Sequence, residues 1–95
     1  MSQKAVAVLP VKLEAADGVR QALGQLVQAV RAEPANVSYD AFESAAAPGT
    51  FLLVGEWQDQ AGFDTHLASE HVQGAVAGTA EALAGDLGIH PLQPV

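Results

Sequence analysis

Apolar and polar positions follow two periods along this chain, and the switches between them mark its elements. Residues 4–13, KAVAVLPVKL, are dominated by apolar and β-branched side chains and read as a strand. Pro10 cannot donate to a ladder, so it marks an edge or a bulge. Asp17-Gly18 reads as a turn into a helix with Asp17 as its N-cap. Over residues 18–32, Val19, Leu23, Leu26, Val27 and Val30 fall on one helical stripe, with Arg20, Gln21, Gln25, Gln28 and Arg31 mostly on the other faces. Glu33-Pro34 ends that helix, because the residue before proline is pushed out of the α region.

The period then changes to two. In residues 36–44 Val37, Tyr39 and Ala41 share one face, and Ser38, Asp40 and Phe42 the other. Residues 50–58, TFLLVGEWQ, form the next strand, and Ala47-Pro48-Gly49 joins the two as an antiparallel hairpin. Alternation puts Phe51, Leu53, Gly55 and Trp57 on one face, and Leu52, Val54 and Glu56 on the other. Asp59 caps a short helix over 60–67, with His66 on its apolar side beside Phe63 and Leu67. Ser69 caps a second helix over 70–84, with Val72, Val76, Thr79 or Ala80, and Leu83 facing inward. Residues 86–95 read as a last strand interrupted by Pro91 and Pro94.

The order β-α-β-β-α-β predicts an α+β, ferredoxin-like unit over 1–95, an antiparallel sheet with helices on one face. Helices on one side leave the other sheet face bare and apolar. Packing that face against a second copy removes the exposed patch, so a homodimer is expected.

Composition narrows the function classes. With 95 residues and 49% apolar content, one small core is possible. There is no cysteine, so disulfides and thiolate metal sites are excluded. The net charge is −7, and the four basic residues, Lys4, Lys12, Arg20 and Arg31, all precede Ala32. Nucleic-acid binding needs clustered basic residues, and this chain lacks them. No run approaches the roughly 18 apolar residues of a membrane span. The first residues lead straight into the strand pattern without a signal-peptide core, so a cytoplasmic protein is expected.

Residues 51–72, FLLVGEWQDQAGFDTHLASEHV, resemble the antibiotic biosynthesis monooxygenase family. The shared pieces are the apolar strand, Glu56-Trp57, the short helix with His66, and Ser69-x-His71. Upstream, Arg31-Ala32-Glu33-Pro34, Asn36-x-x-Tyr39, Pro48 and Phe51 also look like the family. The resemblance implies a dimeric α+β barrel with a pocket between sheet and helices in each subunit. It also implies oxidation of a quinol or other phenolic aromatic substrate by molecular oxygen, with no metal, flavin or haem as cofactor. Haem-degrading relatives of this fold use an Asn on the first strand and a later helical His. Here Val6-Ala7-Val8-Leu9 offers no Asn and residues 75–85 no His, so haem degradation is not expected.

Oxygenation without a cofactor requires an electron-rich anion in a dry pocket and a base near neutral pH. His66 is the first candidate for that base. Its alternative is a structural histidine bonded to Glu56 or to a backbone carbonyl. His71, in the first turn of the next helix, is the second candidate; the helix dipole favours its neutral form. His66 and His71 stand five apart with no evident third donor, so no metal site is expected. Trp57 and Phe51 are read as walls for an aromatic ring. Asn36 and Tyr39 offer an amide and a phenol to a polar substrate. Glu56, among Val and Leu, needs a partner if buried. No arginine follows Arg31, so an arginine-stabilised substrate anion is absent from the second half. The competing reading is a non-catalytic dimeric protein whose pocket only binds a small molecule.

Overall fold

The computed structural model describes residues 2–95; Met1 of the unit expected over 1–95 lies outside the described residues. The elements are β1 (Gln3–Pro10), α1 (Ala16–Arg31), β2 (Asn36–Glu43), β3 (Thr50–Trp57), α2 (Gln60–Ala68), α3 (Glu70–Thr79) and β4 (Gly88–Leu92). The four strands form one antiparallel sheet in the order β2-β3-β1-β4. This is the ferredoxin-like α+β arrangement expected from the sequence.

The apolar stripe of α1 explains how the helix docks. Val19, Leu23, Leu26, Val27 and Val30 are all buried against Ala5 and Leu9 of β1, Tyr39 of β2 and Phe51, Leu53 and Trp57 of β3. Burying five such side chains supplies on the order of 10 kcal/mol of gross driving force. The N-cap expectation for Asp17 is corrected. A single 3-10 turn over Leu13–Ala15 runs into the helix, Ala15 occupies the cap position without a side-chain bond, and Asp17 pairs with Arg20 inside the first turn.

Two further boundaries differ from the sequence pattern. Val37 does not share the buried face of Tyr39; a register shift between Asn36 and Ser38 leaves it exposed. Helix α3 ends at Thr79, before residue 84, because the chain is drawn back to the end of β1. The Lys12 N–H donates to the Ala82 carbonyl and the Ala84 N–H to the Pro10 carbonyl, each at 2.8 Å, around a bridge between Val11 and Leu83. Val76, expected to face inward, lines the pocket but is 40% exposed. Strand β4 covers only five residues and pairs with Lys4 through Val8, so Pro10 closes β1 beyond its reach.

The sheet has unequal faces. One carries the helices. The other presents Val6, Val8, Phe42, Leu52, Val54 and Leu92, of which Phe42 (56%), Val54 (43%) and Leu92 (45%) are the most open. Among the described residues no helix is long and apolar enough to cross a membrane.

Candidate active site

The site forms where the C-terminal end of β3 meets α2. Trp57 is the last residue of β3 and is 1% exposed. Its indole lies over Gly55: a Cβ there would stand 2.6 Å from Trp57 Cη2 and 2.7 Å from Tyr39 Cδ1. The space above Gly55 is therefore filled by these two rings. The Trp57 ring centroid is 5.9 Å from Tyr39, 5.1 Å from Phe63 and 4.4 Å from His66, an aromatic cluster of tilted and edge-on contacts.

Local chemistry fixes the elements that carry these rings. The Asp59 carboxylate accepts from the Gly62 N–H at 2.8 Å and starts α2. Ser69 accepts from the Val72 N–H at 3.3 Å and starts α3. Gly62 lets α2 approach the α1–β2 connection, since a Cβ on it would lie 2.5 Å from that of Ala35. Arg31 ties the end of α1 to β2, donating to the Tyr39 carbonyl at 3.0 Å and to Asp40 at 2.8 Å.

Glu33, just beyond α1, is the hub. Its Oε1 accepts from Trp57 Nε1 at 2.9 Å. Its Oε2 takes both His66 Nδ1, at 2.8 Å, and His71 Nε2, at 2.5 Å. The carboxylate is only 13% exposed. Burial pushes its pKa up, but the hydrogen bonds from Trp57, His66 and His71 together outweigh burial and hold it below the ordinary carboxylate value. An ionised carboxylate only accepts, so His66 carries its hydrogen on Nδ1 and His71 carries one on Nε2.

That tautomer leaves His66 Nε2 as a bare acceptor. His66 lines an apolar pocket together with Leu26, Tyr39, Leu53, Trp57 and Phe63. Neither His66 Nε2 nor the Tyr39 hydroxyl has a hydrogen-bond partner among the described residues. No buried side-chain polar atom there is left unpartnered, so both atoms keep some access to solvent, and both residues line the pocket. Burial, and then the charge of Glu33, push the Tyr39 phenol well above its ordinary pKa, so it stays protonated. The pocket thus offers a ring-lined apolar wall, one acceptor nitrogen and one hydroxyl.

The structure brings Trp57, Tyr39 and His66 together at this pocket. His71 joins them through Glu33, from a groove between α1 and α3. Three expected residues lie elsewhere. Phe51 shares the face of Trp57 but is six residues away, about 20 Å along a strand. It packs under Arg20, whose guanidinium carbon is 5.7 Å from its ring centre. Asn36 clamps β2 to β3, donating to the carbonyls of Ser38 at 3.0 Å and Glu56 at 3.2 Å. The Glu56 side chain belongs to the helix-free face, with Leu52 and Val54, and cannot reach the pocket through the sheet. The carboxylate that holds His66 is Glu33.

Sequence reading passed over Glu33 as a helix terminator. One signal could have found it: an acid at a helix C-terminus faces the unfavourable end of the dipole and calls for compensation. Glu33 also changes the metal reading. Its carboxylate, His66 Nδ1 and His71 Nε2 lie within 4.8 Å of one another, so a third donor does stand beside the two histidines.

The family model for antibiotic biosynthesis monooxygenase matches residues 3–78. The chain is 35% identical over 83 residues to YcnE of Bacillus subtilis (strain 168), a monooxygenase by name, covering 87% of each protein. Among solved structures, an antibiotic biosynthesis monooxygenase is 32% identical with a TM-score of 0.91, over 98% of both chains. Rv0793 from Mycobacterium tuberculosis is 25% identical with a TM-score of 0.91, over 100% of this chain and 96% of its own.

Proposed function

The chain belongs to the antibiotic biosynthesis monooxygenase family, and on that premise we propose that it oxidises a quinol or related phenol with molecular oxygen, without a cofactor. The observation that carries this reading is the orientation of His66. Its Nδ1 is committed to an ionised, largely enclosed Glu33, which leaves Nε2 free on a side chain that lines a pocket walled by aromatic rings.

A phenolic ring against Trp57 and Tyr39 presents its hydroxyl to His66 Nε2. The nitrogen takes the proton, and Glu33 stabilises the resulting imidazolium as the acid does in a catalytic triad. The phenolate passes two electrons to oxygen as a ring carbon bonds to it, and the resulting peroxide anion takes the proton back from His66 to become a hydroperoxide. Loss of water, with removal of the hydrogen on that carbon, leaves a carbonyl. One oxygen atom enters the product and the other leaves as water. In this reading the Tyr39 hydroxyl donates to the substrate oxygen.

The same reading has the protein acting as a cytoplasmic homodimer, joined through the open sheet face. The exposed side chains of Phe42, Val54 and Leu92 support that pairing.

Oxygen uptake by the chelator-treated protein across a panel of quinols and polycyclic phenols tests the proposal. Saturable uptake above the autoxidation blank is expected. Blank-level uptake with ligands still bound would make this a non-catalytic small-molecule-binding protein.

A further inference from the structure

We propose that Glu33, His66 and His71 also form a binding site for a single borderline divalent cation such as zinc. Three different segments supply the donors: the α1–β2 connection, α2 and the first turn of α3. All three donor atoms lie within 4.8 Å of one another, and both histidine nitrogens already converge on one carboxylate oxygen. Two imidazoles and a carboxylate are the donor set such ions prefer, with solvent as a fourth ligand.

The geometry needs only a small adjustment. Ligand atoms on a tetrahedral ion with bonds near 2.0–2.1 Å stand about 3.3 Å apart. The present separations are 2.8 Å and 2.5 Å, so each histidine must draw back by less than about 1 Å. Trp57 Nε1 holds the other carboxylate oxygen and orients the group, as a supporting hydrogen bond does in established metal sites. Entry is from the side of His71, whose side chain is 31% exposed and lines the groove between α1 and α3.

Binding would exchange two shared hydrogens for one cation. Each imidazole stays neutral by moving its hydrogen to the opposite nitrogen, so His66 then presents N–H, not a lone pair, to the pocket. If the oxygenase reading holds, zinc therefore inhibits turnover. That consequence rests on the proposed function; the binding itself does not.

The test is calorimetric titration of the chelator-stripped full chain with zinc, without substrate. The expected result is one zinc per chain. Glu33→Gln and His71→Ala should each weaken binding at least about tenfold, and His90→Ala should leave it unchanged. NMR signals of the His66 ring should shift with zinc in the wild-type protein, which keeps the test valid if Glu33→Gln fails to fold. Absence of stoichiometric binding would overturn the proposal. So would binding that survives both Glu33→Gln and His71→Ala, or that is lost only in His90→Ala. Turnover without zinc binding would sink this site alone; zinc binding without turnover would sink the oxygenase reading alone.

Discussion

His66 turns its Nδ1 to Glu33, 2.8 Å away, and thereby keeps its Nε2 free on a side chain that lines the pocket. One contact across 33 residues sets both the tautomer and the direction of the free lone pair. The chemistry proposed for the chain depends on that contact.

Glu33→Gln should separate orientation from charge. The amide keeps the shape but loses the negative charge and one acceptor oxygen. Folding stability should fall by about 1–3 kcal/mol, the usual cost of leaving buried partners of a charged group unsatisfied. Turnover should fall while KM changes little, because the residue acts through His66 and does not touch substrate. Urea unfolding and steady-state kinetics on the same sample check both.

Gly55→Ala should damage the site through packing alone. The added methyl would meet Trp57 and Tyr39 at 2.6 and 2.7 Å, so one of these rings must shift into the pocket that both line. A loss of about 1–3 kcal/mol is expected, with a shifted Trp57 fluorescence maximum. Wild-type stability and fluorescence would show that the rings do not pack over Gly55.

Tyr39 is the only tyrosine, so alkaline absorbance titration reads it alone. Burial, then the Glu33 charge, raise its folded-state pKa above the ordinary value of 10.0. The unfolded chain ionises first as pH rises. Stability from this group is thus complete below about pH 10 and is lost as pH climbs toward the folded-state value. Tyrosinate absorbance should appear only with unfolding. A reversible transition near pH 10 in the folded protein would place Tyr39 in solvent.

The open sheet face predicts twice the 9.7 kDa chain mass in sedimentation equilibrium. Val54→Asp should halve it, since it sets a second carboxylate directly across from Asp40 on that face. Wild-type sedimentation as a monomer would remove the dimer from the account.

Much of this architecture is legible in local patterns. The five apolar positions of α1 are a helix period and all are buried. Alternation places Trp57 with Gly55 and opposite Glu56, and Asp59 and Ser69 cap their helices as their positions suggest. What stayed hidden depends on contacts far along the chain. Glu33 meets partners 24, 33 and 38 residues away. The end of α3 is set by Val11 and Pro10, and the exposure of Val37 by a bulge that periodicity cannot register. The error over Phe51 is different: six strand residues already separate it from Trp57 by more than one ring can span.

The most direct test compares oxygen uptake by wild-type protein and His66→Asn on the best quinol of the panel. Asparagine can still donate to Glu33 where Nδ1 does, but it carries nothing in place of Nε2. The account predicts a folded variant that has lost about 10²–10⁴-fold in turnover, the range of general-base catalysis. A folded His66→Asn protein with wild-type turnover would show that another group takes the proton.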